Sequence, residues 1–218
     1  MDKLTQDFGN SLVSIAEDDI VEYLELGIDS FIEDGILKEI PIVSTITSGL
    51  KIAKNVHDRN LLQQTLTFIN ELNNGSITRD KLIAHQSTII HNPKKCEKEL
   101  GRVLIYLNSF VDKEKSIMLA KLYMAYIIQT INWDEFCEYS EVISRLFIQD
   151  IEDLKKIYVE DEIYIDKYKE KYRLDRLSSL GLINLYSKSK FSFDELLLDD
   201  FTIAKTEIGI KITSILFT

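Results

Sequence analysis

The chain has 218 residues, a mass of 25.3 kDa and a formal net charge of −10. With 45% hydrophobic and 28% charged residues it has the balance of a folded globular protein, which excludes bulk disorder. Two cysteines, Cys96 and Cys137, are too few for a disulfide framework or a thiolate zinc cluster, and 8 Gly with 2 Pro leave little turn material for a many-stranded β protein.

The first residues, Met1 to Asp7, are polar and carry two acids, with no basic stretch leading into an apolar core, so no signal peptide is expected. No uncharged apolar run reaches the roughly 18 to 20 residues of a spanning helix. The best candidates, residues 40–50 and 122–133, are bounded by Lys51 and by Lys121 and Asp134. The expected setting is cytosolic. The acidic balance disfavours broad electrostatic binding to nucleic acid or anionic lipid. Residues 150–218 hold 14 acidic and 11 basic side chains, so neither half of the chain is a basic module.

From 12 to 37, Leu12, Ile15, Ile20, Leu24, Ile28, Phe31 and Ile32 recur mostly at spacings of three and four, which predicts a helix or helix pair. Pro41 stops it, and Ile40 before the proline is pushed towards extended backbone. The next helix is expected to start near Ser44 or Thr45, both able to cap. Its stripe runs through Leu50, Ala53, Val56, Leu61, Leu66, Ile69 and Leu72 to Asn73-Asn74-Gly75-Ser76, where Gly75 suits the left-handed position beyond a helix end. Thr78 caps a short helix that ends before Asn92-Pro93, a cap and first position for the helix carrying Leu100, Val103, Leu104, Leu107 and Phe110. Asp112 caps a helix that is apolar on most faces and therefore belongs at the bundle centre. Asn132 and Glu135 form a capping box for a helix carrying Phe136, Tyr139, Val142, Ile143, Leu146 and Phe147. Residues 1–149 thus read as a helical bundle of about six helices.

After about Asp150 the pattern changes. A helix over 150–158 and a loop at Glu160-Asp161-Glu162 precede a charged amphipathic helix over 168–180, closed by Gly181. Alternating and β-branched residues predict strands at 182–186 and 201–205, separated by a polar stretch. Thr206 then caps a last helix over 207–216. The expected fold class is mainly α: an N-terminal bundle followed by a C-terminal α+β module over 150–218.

The phrase Arg176-Leu177-Ser178-Ser179-Leu180-Gly181-Leu182-Ile183, followed by Thr206-Glu207-Ile208-Gly209, resembles winged helix-turn-helix proteins. The resemblance implies a recognition helix ending in the Leu-Gly-Leu-Ile turn, then a two-stranded wing. The local physics agrees, because Gly181 can take φ > 0 where a helix turns sharply into a strand. Residues 20–147, through Gly35-Ile36-Leu37-Lys38-Glu39-Ile40-Pro41-Ile42-Val43 and Asp112-Lys113-Glu114-Lys115, resemble bacterial helical proteins that end in such a winged module. That likeness implies a role in a stress or phage-defence response and carries over no catalytic residue.

The charged helix offers Lys167, Lys169, Lys171, Arg173 and Arg176 as candidate contacts to a partner or to DNA, against Glu170 and Asp175, a net +3 over ten residues. Glu160, Asp161 and Glu162 before it, and Asp194, Glu195, Asp199 and Asp200 in the expected wing, would repel a duplex. Another protein, or a second copy of this chain, therefore ranks ahead of nucleic acid as partner. Residues 36–56 contain an uncharged stretch followed by Lys51 and Lys54, which suits a membrane interface if exposed. Its length is that of a core helix, where Gly49 and Ala53 allow close approach, and that reading ranks first.

The three histidines, His57, His85 and His91, form no His-x-x-x-His pair, and there is no Cys-x-x-Cys, Gly-x-Gly-x-x-Gly or phosphate-loop pattern. Cys96, between Lys95 and Glu97, has no evident base, and Cys137 reads as a small core residue. The expected function is that of a non-enzymatic, cytosolic bacterial interaction protein with no catalytic residue, no cofactor and no metal. The alternatives are a DNA-binding regulator acting through the winged element and a membrane-active effector acting through residues 36–56, without a stable membrane span.

Overall fold

Helices bury the apolar stripes of the chain in the computed structural model, which describes residues 2–13, 40–48, 56–159, 171–188 and 200–217. Two compact units divide between Ser144 and Arg145. The first contains α1 (Lys3–Ser11), α2 (Pro41–Ser48), α3 (Val56–Asn74), α4 (Arg79–Ile90), α5 (Pro93–Ser109), α6 (Lys113–Ile127) and α7 (Trp133–Arg145), whose last residue opens the second unit. Among the described residues no helix is long and apolar enough to cross a membrane.

The core of the first unit is built where α3 packs along α6. Leu62, Leu66, Phe68, Ile69 and Leu72 of α3 meet Leu119, Leu122 and Tyr123 of α6, all buried. The Phe68 ring lies between Phe8 of α1 and Tyr123, with centroids 5.8 and 5.9 Å away. The breadth of the apolar face on α6 is what brings it to the centre, as the sequence pattern predicts. Some polar groups in this core are matched, although the buried Thr65 and Thr67 hydroxyls find no partner among the described residues. Ser116 donates to Gln64 Oε1 at 2.6 Å, while Gln64 Nε2 and Asn60 Nδ2 donate to the carbonyls of Val111 and Phe110 and so hold the α5–α6 turn.

Three local expectations are corrected. Helix α2 begins at Pro41 rather than near Ser44, because proline is pre-set for the first helical position, where its missing N–H costs nothing. This places Ile42, Val43 and Ile46 in the core, and the Ile42 N–H donates to Ser11 Oγ at 3.0 Å. Gly75 does not adopt a positive φ. An added Cβ there would collide with the Met124 thioether and lie 2.7 Å from the Glu71 carbonyl oxygen, so its lack of a side chain answers crowding. Finally, Leu146 and Phe147 do not belong to α7, which ends at Arg145; Phe147 is the cap position of the next helix. The pattern over 12–37 falls almost wholly outside the described residues, and α1 precedes it.

The second unit, Arg145–Thr218, contains α8 (Ile148–Tyr158), α9 (Lys171–Ser179), β1 (Ile183–Lys188), β2 (Asp200–Lys205) and α10 (Glu207–Leu216). The strands pair antiparallel, from Ile183 opposite Lys205 to Lys188 opposite Asp200. Gly181 has φ +72°, the left-handed conformation that lets α9 reverse into β1 and buries Leu182 and Ile183. Thr206 caps α10 by accepting from the Gly209 N–H at 3.0 Å, and its hydroxyl donates to the Gly181 carbonyl at 2.7 Å. Tyr158 of α8 completes this junction: its hydroxyl donates to the Leu182 carbonyl at 2.5 Å and accepts from the Thr206 N–H at 3.0 Å.

Gly209 packs so close to this tyrosine that an added Cβ would overlap its hydroxyl and lie 2.6 Å from Cζ. Tyr158→Phe leaves the Thr206 N–H without its partner and is expected to cost about 1–2 kcal/mol of second-unit stability. Gly209→Ala must also displace the ring, so its loss should be at least as large. Denaturant unfolding followed by circular dichroism measures both, and a Gly209→Ala midpoint equal to that of the parent chain would contradict this packing.

Candidate functional site

Of the five cations singled out on the charged helix, Lys167 and Lys169 lie outside the described residues, as do the acidic residues 160–162 and 194–199. Lys171 is the exposed first residue of α9. Arg173 and Arg176 turn back onto α8. Arg173 Nε donates to Asp153 Oδ2 at 2.6 Å and its Nη2 to the Gln149 carbonyl at 3.2 Å. Arg176 grips Asp150 with both arms of its fork, Nε to Oδ2 at 2.8 Å and Nη2 to Oδ1 at 2.5 Å. Both aspartates are buried, at 0% and 1% exposure, so they need these partners. Asp150 also accepts from the Phe147 N–H at 2.9 Å and so closes the first turn of α8.

The hydrogen bonds to Asp150 hold the Arg176 guanidinium more firmly protonated than an ordinary arginine. Its plane is flanked by two rings: Cζ lies 4.6 Å from the Phe147 centroid and 5.4 Å from that of Tyr172. These rings are 57% and 59% exposed. An aromatic–arginine–aromatic surface on a buried carboxylate is thus what the structure makes of the basic helix. The sequence carried a signal for it: the acids at 150 and 153 and the cations at 173 and 176 repeat the same spacing of three, which puts each pair on one helix face.

The first unit holds a second polar cluster that no sequence motif marks. His85 of α4 points its Nε2 inward, 3.0 Å from the Tyr123 hydroxyl and 3.4 Å from Glu99 Oε2. Tyr126 donates to Glu99 Oε1 at 2.8 Å, and the Lys95 ammonium lies 3.6 Å from the same oxygen. Glu99 is 3% exposed. Burial alone would raise its pKa, but His85 and Tyr126 together with the charge of Lys95 outweigh it and hold the carboxyl below its usual value of 4.5. Burial also pushes up the hydroxyls of Tyr123 and Tyr126, so both serve as neutral donors. The Cys96 thiol nearby is raised by burial and then by Glu99 and Glu97, which makes it a poor nucleophile. The network ties α4, α5 and α6 together. His57 and His91 lie elsewhere, beside Asp58 and the Ser87 carbonyl. Among the described residues no group of three His, Cys, Asp or Glu side chains is placed to hold a metal ion.

No family model, curated protein or solved structure matches this chain.

Two predictions follow from the buried carboxylates. Glu99 titrates lower in the folded chain than its usual 4.5, so its contribution to stability is fully present above that value and is lost as the pH falls through the folded pKa. Urea midpoints of the first unit measured from pH 7 down to pH 3 should therefore fall less steeply in Glu99→Gln than in the parent chain. Arg176→Met strands Asp150 in the interior and is expected to cost on the order of 3 kcal/mol. Adding Asp150→Asn should recover part of that loss, and equal losses in the single and double variants would show that the pair is not coupled.

Proposed function

We propose that the chain is a non-enzymatic, cytosolic interaction protein that recognises another protein through a winged-helix-like C-terminal unit. The winged reading is supported by the order of elements: a helix closed by Gly181 in the left-handed conformation, an antiparallel two-stranded sheet, and a Thr206-capped helix. The observation that carries the choice of partner is the surface formed by Phe147, Arg176 and Tyr172. Tyr and Arg are among the residues that dominate protein–protein hot spots, and exposed aromatic rings supply apolar area at little entropic cost. Because Asp150 already fixes Arg176 in place, ordering that side chain costs little on binding.

The same ion pairs weigh against the DNA reading. Affinity for a duplex comes mostly from neutralising phosphates. Arg173 and Arg176, two of the five candidate cations, are instead neutralised by Asp153 and Asp150 of their own unit. The buried side chains of Ile42, Val43 and Ile46 favour a core role over membrane action for the described part of residues 36–56.

Duplex DNA at about 50 mM salt, where electrostatic binding is strong, should show no mobility shift with the full chain. Affinity purification from the native host should recover a protein partner that is lost with Phe147→Ser/Tyr172→Ser, a pair of exposed positions whose change leaves the core intact. Salt-sensitive duplex binding removed by Lys171→Glu would instead make the regulator reading the right one.

A further inference from the structure

A groove of about 620 Å³ runs along the outer face of α5 in the first unit, bordered by α1 and by Trp133 at the start of α7. Its volume lies in the range of small-molecule sites. Lys98, Gly101, Arg102 and Ile105 all line it, at the spacings that share one helix face.

Gly101 has no structural reason to be glycine. It lies inside α5, where glycine destabilises the helix relative to alanine. An added Cβ would meet nothing within 4 Å, in contrast to Gly75 and Gly209, where it would collide. The missing side chain keeps the groove open.

The walls are apolar, with Leu4, Leu61 and Ile105; Ile105 is 70% exposed. Trp133 stacks on Phe136, centroids 5.2 Å apart, and carries the Lys98 ammonium 5.5 Å from its ring centre. Its ring is thus already engaged by a stacking partner and a cation, which favours an aliphatic occupant over a planar aromatic one. Arg102 lies over the Tyr106 ring, 5.8 Å from its centroid. Asp2 and Glu97 also border the groove. Arg102 donates to the Tyr106 hydroxyl, which in turn donates to Glu141, and two cations, Lys98 and Arg102, thus stand beside an apolar trough.

We infer that this groove binds a small amphiphilic carboxylate, with its aliphatic body against Leu4, Leu61 and Ile105 and its charged head met by Lys98 and Arg102. The site is separate from the protein-binding surface of the second unit, and either can fail without the other.

Trp133 is the only tryptophan of the chain, so its emission reports on the groove directly. Decanoate, titrated below its micelle-forming concentration into the full chain, should produce a saturable change in that emission. Lys98→Gln/Arg102→Gln should weaken the apparent affinity about tenfold, and decanol should bind the parent chain more weakly by a similar factor. Gly101→Leu should fill the trough and remove the saturable response while keeping the thermal midpoint at or above that of the parent, since a better helix former replaces glycine. Gly101→Ala, which meets no neighbour, should raise the midpoint and keep the fold whatever the larger residue does; its decanoate affinity should fall. A response that never saturates, a response unchanged by the Gly101 variants, or equal affinity for decanol and decanoate would each overturn the assignment.

Discussion

A carboxylate taken out of water must be met by donors, and in the second unit Asp150 is met three times. Its oxygens accept from the Phe147 N–H and from two nitrogens of Arg176. An unmatched charge at a site with 0% exposure would cost several kcal/mol, so this one residue sets three features together. It closes the first turn of α8, draws α9 against α8 through Arg176, and fixes the guanidinium between two exposed rings. Asp153 and Arg173 repeat the arrangement one turn along, which makes the α8–α9 junction a two-rung ladder of buried acid and half-buried base. The surface proposed to contact a partner is the outer side of that ladder, so recognition and stability draw on the same ion pair.

The first unit meets the same constraint differently. Glu99 accepts from the Tyr126 hydroxyl through Oε1, with His85 3.4 Å from Oε2 and the Lys95 ammonium 3.6 Å from Oε1. The histidine therefore faces the interior with Nε2 and braces a carboxylate on the neighbouring helix. A His–Glu contact is often the start of an acid–base site, but here the nearby thiol is pushed up by burial and the tyrosines stay protonated. The arrangement is that of a polar brace between α4, α5 and α6.

Three glycines show how one residue type answers different demands. Gly181 supplies a backbone conformation that other residues rarely adopt. Gly209 removes a Cβ that the Tyr158 latch cannot accommodate. Gly101 does neither, and only the open groove beside it gives its missing side chain a consequence. The three positions look alike in sequence, and it is the space around each that separates them.

The amino-acid sequence by itself determined the elements whose causes lie within about four residues. Asn92 accepts from the Lys95 N–H beside Pro93, Asn132 and Glu135 exchange both bonds of a capping box, and Thr206 caps α10. The apolar breadth of α6, the left-handed Gly181 and the antiparallel strands after it were legible for the same reason, since periodicity and turn chemistry are local. The break between α7 and α8 was not, because the apolar spacing continues through Leu146 and Phe147 while the actual stop is set by Asp150 turning back to the Phe147 N–H. Whether a cation on α9 faced solvent or a buried acid, and whether His85 was a surface residue or a brace for Glu99, depended on partners 14 to 26 positions away. Local energetics shape a segment, but only tertiary packing decides which charges leave water, and the donors they must then find select the surface that remains for function.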